Sequence, residues 1–332
     1  MPYDIGLVGA TAIAARAVIA PSRRSADFRV IAVAASDPAR AARYAAEHGI
    51  PRVHQDYAAL LADPTVDVVY VSLHNSAHHR WALAAAHAGK HVVVEKPICL
   101  TVAEAAELRD AADAAGVTVV EAIPTAGHPW QEAVRELADG MPYGALREIR
   151  TRMRFAAPRP GGYRDRVELG GGIFFDTASY WLQAVQGVVG LNGGPGIGRS
   201  AFDGPNGVDR QFHAELTADN GVTAVLDAQL GEPHVAEHEF VFDRAAIRLR
   251  QFLRPTVGAL PLNLVIQPAD GVRQVRAFAP IAYYDRQLEN LRTLLAGGRT
   301  AAAAAAADIS TRIASMSAIY LDARRAHGEE CR

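Results

Sequence analysis

Lysine is almost absent from this chain: of its 34 basic side chains only Lys90 and Lys96 are lysines, and the rest are arginine. Cysteine is as scarce, with Cys99 and Cys331 alone, which excludes a disulfide-stapled scaffold. No apolar run approaches the ~20 residues of a membrane-spanning helix. The amino-terminal residues lack the basic-then-apolar order of an export signal. A formal net charge of −2 gives no long-range field for holding nucleic acid or an anionic membrane surface. The expectation is a cytoplasmic protein whose partner is a small molecule, with no nucleic acid, membrane or metal.

What is present is a globular composition, 50% hydrophobic and 21% charged over 332 residues, enough for two cores. In residues 1–122, short runs apolar on both faces alternate with helical patterns. Ile5–Val8, Val30–Ala34, Val68–Leu73, His91–Val94 and Val117–Val120 read as strands of a covered parallel sheet. Helices are expected around Ile13–Ile19, Ala39–His48, His78–Ala88 and Val102–Ala115. Asp37-Pro38 supplies a cap followed by proline at the first helical position, and Thr101 with Glu104 forms a capping box. This is an α/β, doubly wound Rossmann domain.

Residues 123–332 read as an α+β domain with a mainly antiparallel open sheet, its C-terminal helices open to packing back on the first domain. Arg147–Phe155, Gln211–Leu216, Val222–Leu230, Glu237–Phe242 and Leu262–Ile266 alternate polar with apolar residues. Helices are expected only at the edges, over Asp176–Gln186, Asp285–Leu295 and Ala302–Arg325. The interior of 188–209 reads as loop, and no repeat is visible.

Chemistry concentrates at strand ends. Gly9, Thr11, Ala12 and Ile13 form the first strand-to-helix turn, where a dinucleotide pyrophosphate would rest on a helix amino terminus. As a fingerprint the turn is degraded, because Thr11 and Ala14 stand where glycines are usual. At the second strand tip Asp37 is taken up in capping, which leaves Ser36 and Arg40 for the ribose and favours NADP(H) over NAD(H). The alternative has Asp37 on the ribose. Lys96 ends an apolar run in Val93-Val94-Glu95-Lys96-Pro97 and is the one type of cation whose proton can be moved. Its bland reading is a solvated loop lysine, as Lys90 is taken to be in Gly89-Lys90-His91.

Four further segments fall in order: Leu73-His74-Asn75-Ser76-Ala77-His78, Glu95-Lys96-Pro97, Glu121-Ala122 with His128-Pro129, and Glu168-Leu169-Gly170-Gly171-Gly172 running into Asp176-Thr177-Ala178-Ser179-Tyr180. With the amino-terminal turn they resemble the glucose–fructose oxidoreductase / inositol dehydrogenase (Gfo/Idh/MocA) family. The segments 203–209 and 284–289 are similar to the branch holding glucose–fructose oxidoreductase and dimeric dihydrodiol dehydrogenase.

The resemblance implies that Lys96, Asp176 and Tyr180 are catalytic, with Glu95 and a cis-bonded Pro97 beside the nicotinamide. Leu73, His74, Asn75 and His78 would lie over the cofactor, and Glu121 and Arg164 with the catalytic set would meet substrate. It implies hydride transfer between nicotinamide and a sugar, a keto-sugar (free or nucleotide-linked) or a cyclic polyol. Tyr180 would deliver the proton, Lys96 would supply charge, and Asp176 would orient Lys96. A dihydrodiol dehydrogenase, or another small cyclic carbonyl reductase, is the rival if Phe174, Phe175 and Trp181 line an apolar pocket. A non-catalytic dinucleotide-sensing protein is the reading of another class, and cofactor retained through a redox cycle is a third. The family's face-to-face pairing of second-domain sheets implies a homodimer or homotetramer.

The sequence also departs from the family's pattern. Pro124-Thr125-Ala126 stands where a Met-Tyr-Arg stretch is common, His74 where proline is usual, and Ala178 where glycine is frequent. These changes put the substrate's identity in doubt and leave the hydride-transfer residues in place.

Overall fold

The computed structural model describes residues 1–218, 220–231 and 233–328; Cys331 lies outside them. The chain divides into two compact units, one of Met1–Pro124 with Tyr284–Ser310, the other of Thr125–Tyr283 with the described residues from Thr311.

In unit 1 the doubly apolar runs become β1 (Tyr3–Val8), β2 (Phe28–Ala34), β4 (Val68–Val71), β5 (His91–Glu95) and β6 (Val119–Ala122), with a short edge strand β3 (Arg52–Val53). All pairings are parallel, in the order β3-β2-β1-β4-β5-β6. Such a sheet needs cover on both faces, and Ile5, Leu7, Val33, Val68, Tyr70 and Val93 lie in its buried core with Leu288 and Leu291 from the helix Tyr283–Ala296. The caps form as the sequence requires. Asp37 accepts from the Ala39 N–H at 2.9 Å, and Thr101 with Glu104 closes a capping box on Val102–Ala115. The first helix is less regular than expected, running from Ala12–Ala14 through a π-helical Ala15–Ile19 to Ala20–Ser22. Strand β3 and the helix Tyr57–Leu61 are too short to leave a periodicity.

Lys90 is not a solvated loop lysine. It is buried, and its ammonium donates to the carbonyl oxygens of Asp63 and Val66 at 2.8 Å each.

Unit 2 is an eight-stranded sheet of β7 (Leu146–Phe155), β8 (Gly196–Arg199), β9 (Gln211–Thr217), β10 (Thr223–Leu230), β11 (Val235–Phe242), β12 (Ala245–Arg250), β13 (Asn263–Pro268) and β14 (Gln274–Ala277). The order is β14-β13-β12-β11-β7-β10-β9-β8, antiparallel except for the parallel pair β7 and β10. One face packs on the helix Ile173–Val189 through β7, β9 and β10. The other carries cross-strand ion pairs, Arg152 with Glu237 and Arg248 with Glu239.

Two expectations are corrected here. A helix that was not expected, Pro129–Gly140, precedes the first strand of unit 2 and packs on Ile173–Val189. Strand β8 lies within the stretch read as loop, and its glycines have a steric reason: a Cβ on Gly198 would come within 2.2 Å of the Ile319 carbonyl oxygen on the last helix, Gly298–Ala326.

Candidate active site

At the carboxyl end of β1, Gly9 has φ +117°, and a Cβ there would lie 2.5 Å from the Ser72 carbonyl oxygen, so only glycine fits. Thr11 caps the following helix, its Oγ1 accepting from the Ala14 N–H at 3.2 Å. The same oxygen lies 2.8 Å from Ser72 Oγ, and with Ser72 as donor the Thr11 proton remains for a phosphate oxygen. Tyr44 pins the turn from outside by donating to the Thr11 carbonyl at 2.7 Å. Ala12 is exposed and Ile13 half-buried at this helix start. A tight glycine turn over a capped amino terminus fits a dinucleotide pyrophosphate.

At the tip of β2, Arg40 Nη2 donates to Ser36 Oγ at 3.2 Å, while Asp37 is engaged in its cap. Tyr57, which sequence reasoning passed over, also hydrogen-bonds Ser36; burial raises its pKa and the Arg40 charge opposes the rise. The tip therefore presents a hydroxyl, a guanidinium and a phenol.

Beyond β4 and β5 lie Leu73, His74, Asn75, His78, Glu95, Lys96 and Pro97. Helix Asn75–His87 begins here with His74 as its cap residue, the His74 ring 3.1 Å from Ser76 Oγ and Asn75 buried. The Lys96–Pro97 bond is cis. Glu95 accepts from the Tyr70 hydroxyl at 2.5 Å. Burial raises the Glu95 pKa against that bond and the charge of Lys96, and Glu121, itself buried on β6, adds to the rise. His78 lies in the first turn of this helix. It is 1% exposed, with Nδ1 at 2.7 Å from the Pro97 carbonyl oxygen and Nε2 at 3.1 Å from that of Leu73, so both ring nitrogens face main-chain carbonyl oxygens.

In unit 2, Asp176 and Tyr180 stand one turn apart on Ile173–Val189, on one face of the helix. The buried Asp176 carboxylate takes a short charge-assisted bond from Arg164 Nε. Burial works against the Arg164 cation, yet Asp176 outweighs it and holds its pKa above the ordinary value, with Tyr180 adding to the effect. Asp176 thus has Arg164 as an ion-pair partner within its own unit, where the sequence pointed to the task of orienting Lys96.

The triple glycine explains how Arg164 is delivered. A Cβ on Gly171 would lie 2.6 Å from the Arg164 carbonyl oxygen, and one on Gly172, at φ +104°, would lie 2.0 Å from Asp209 Oδ1. Asp209, not singled out as a site residue, caps this helix: its Oδ2 accepts from the Phe174 N–H at 2.7 Å and its carbonyl from Ile173 N–H at 3.0 Å. Its place at the end of the 203–209 segment was the sequence signal. Phe174, Phe175 and Trp181 belong to the unit 2 core, Phe174 stacking on Phe212 at 4.1 Å, so those rings lend no support to an apolar substrate pocket.

Residues 3–123 match the Gfo/Idh/MocA oxidoreductase family, NAD-binding Rossmann fold, and residues 131–250 the Gfo/Idh/MocA C-terminal domain. The chain is 33% identical to an uncharacterized oxidoreductase of Rhizobium meliloti, over 88% of this chain and 89% of that one. It is 29% identical to a D-xylose 1-dehydrogenase (NADP(+)) of Haloferax volcanii, over 89% of this chain and 90% of the relative. Among solved structures, the 3-ketoreductase KijD10 of Actinomadura kijaniata, in complex with NADP and TDP-benzene, has a TM-score of 0.84 at 24% identity, covering 96% of each chain, a likeness of fold. With both halves matched and relatives aligned over most of their length, the chain belongs to the Gfo/Idh/MocA family of NAD(P)-binding oxidoreductases.

Proposed function

We propose that this protein is an NADP(H)-dependent oxidoreductase of a sugar, keto-sugar or cyclic polyol, working in the cytoplasm as a homodimer or homotetramer. The observation that carries the reading is the set of groups at the carboxyl ends of β1, β2 and β5: the Gly9 turn, the Ser36–Arg40–Tyr57 tip and Lys96. A tip whose carboxylate is spent on a helix cap favours a 2′-phosphate over a bare ribose. The Haloferax volcanii relative, named for NADP(+) and a free sugar, supports both halves of the proposal.

When bound, the nicotinamide would supply or accept the hydride at C4. The chain's own groups handle the proton and the charge. Tyr180 donates to the substrate oxygen, and Lys96 sets a positive charge where the alkoxide develops. Asp176 and Arg164 fix the helix face that bears Tyr180.

Thermal shifts with NADP, NADPH, NAD and NADH test the cofactor, since a ligand that binds only the native state raises its melting point. NADPH is expected to give the largest shift, and no shift from any dinucleotide overturns the proposal. Consumption of NADPH across a panel of aldoses, keto-sugars and cyclic diols then names the substrate class. Full turnover by Lys96→Arg would remove Lys96 from the mechanism, and a monomer by light scattering would remove the oligomer.

A further inference from the structure

The two carbonyls that face the His78 ring belong to different strand ends, Leu73 after β4 and Pro97 after β5. Pro97 has no N–H, so its carbonyl is the main-chain group by which a neighbour can hold it. We propose that His78 is a positioning residue: its Nδ1–H bond to the Pro97 carbonyl holds the strand end that carries Lys96, and Lys96 is thereby aimed. This rests on the reading of Lys96 as the catalytic cation.

The atoms decide which nitrogen matters. A neutral imidazole has one N–H, and two carbonyl oxygens compete for it. Burial lowers the His78 pKa to about 4, opposed by the bonds to Pro97 and Leu73 and reinforced by the nearby charges of Lys96 and His74, so the ring is neutral at physiological pH. The N–H goes to the shorter contact, Pro97 at 2.7 Å, over Leu73 at 3.1 Å. The ring therefore holds Pro97 by a hydrogen bond and donates none to Leu73.

Two substitutions separate the nitrogens. Asparagine can place its amide nitrogen where Nδ1 stands, and glutamine can place its own where Nε2 stands. His78→Asn should keep the Pro97 bond and His78→Gln should lose it. With lysine enriched in carbon-13 at Cε, the chain gives two side-chain signals, one from Lys96 and one from Lys90, which serves as an internal control of folding.

His78→Gln is expected to shift the Lys96 signal and leave that of Lys90 in place, while His78→Asn leaves both. With a turned-over substrate, His78→Gln should lower kcat by about tenfold at similar NADPH KM, and His78→Asn by less than about threefold. The proposal is overturned if the Lys96 signal is unmoved in both variants, or if asparagine disturbs it as much as glutamine does. Should no substrate in the panel react, the functional reading fails by itself, and the lysine spectrum still decides the role of His78.

Discussion

Replacing Asp209 with asparagine should remove one loss of stability that the wild type suffers as pH rises from 5 to 8. In the wild type this carboxyl is fully buried, accepts from the Phe174 N–H at 2.7 Å, and has no hydrogen-bond partner at Oδ1 among the described residues. Burial pushes its pKa up to about 7, against the Phe174 bond and the charge of Arg324, while Asp176 adds to the rise. The unfolded chain releases this proton near pH 4. Between those values the native state holds a proton that the unfolded state has lost. The stabilisation is therefore complete below about pH 4 and vanishes as pH rises through about 7.

Raising a carboxyl from near 4 to about 7 corresponds to about 4 kcal/mol, and the part falling between pH 5 and 8, trimmed by relaxation around the buried charge, comes to about 2 kcal/mol. Denaturant unfolding at pH 5, 6, 7 and 8 measures it. His78 and His238, whose pKa values burial lowers to about 4 and about 3, act with the opposite sign below neutrality. They are the same in both proteins, so the difference between variant and wild type isolates Asp209. Asparagine should gain on the wild type by about 2 kcal/mol from pH 5 to 8. Parallel curves for the two proteins would refute the reasoning.

Lys90→Met removes both carbonyl bonds at the 63–66 turn and should cost about 2 kcal/mol in urea unfolding. Gly172→Ala meets both a positive φ and the Asp209 carboxylate and should cost more than about 3 kcal/mol. Gly161→Ala, at φ +77° with open space around it, should cost only about 1 kcal/mol, and equal losses in the two would refute the crowding argument. Ser36→Asp should raise the NADPH KM by about tenfold or more by setting a carboxylate against a phosphate. An unchanged ratio of NADPH to NADH KM would contradict the assignment of the β2 tip.

What could be read from the chain followed from local physics. Runs apolar on both faces became the parallel sheet, alternating runs became the antiparallel one, and the caps at Asp37 and Thr101 formed as written. Features set by distant neighbours escaped. Strand β8 is glycine-rich because the last helix passes close to it, which erases the alternation that marks other strands. Lys90 looks like a surface residue in sequence, since a cation usually is, and it is buried because main-chain carbonyls from elsewhere await it; the carbonyls that face His78 were no more visible. At the candidate site the residue order was legible and the partnerships were not. Asp176 is paired with Arg164 because the glycine turn lets two backbone segments nearly touch, a contact that no periodicity encodes.

The near absence of lysine also bears on side reactions. Open-chain aldoses and ketoses condense with unprotonated primary amines to give imines, the first step of glycation, and guanidinium is far less prone to this reaction. One of the two side-chain amines here is sealed against carbonyl oxygens at the 63–66 turn. A protein with this inventory can stand in concentrated reducing sugar with little loss of surface charge, and any side-chain imine trapped by borohydride would report on Lys96.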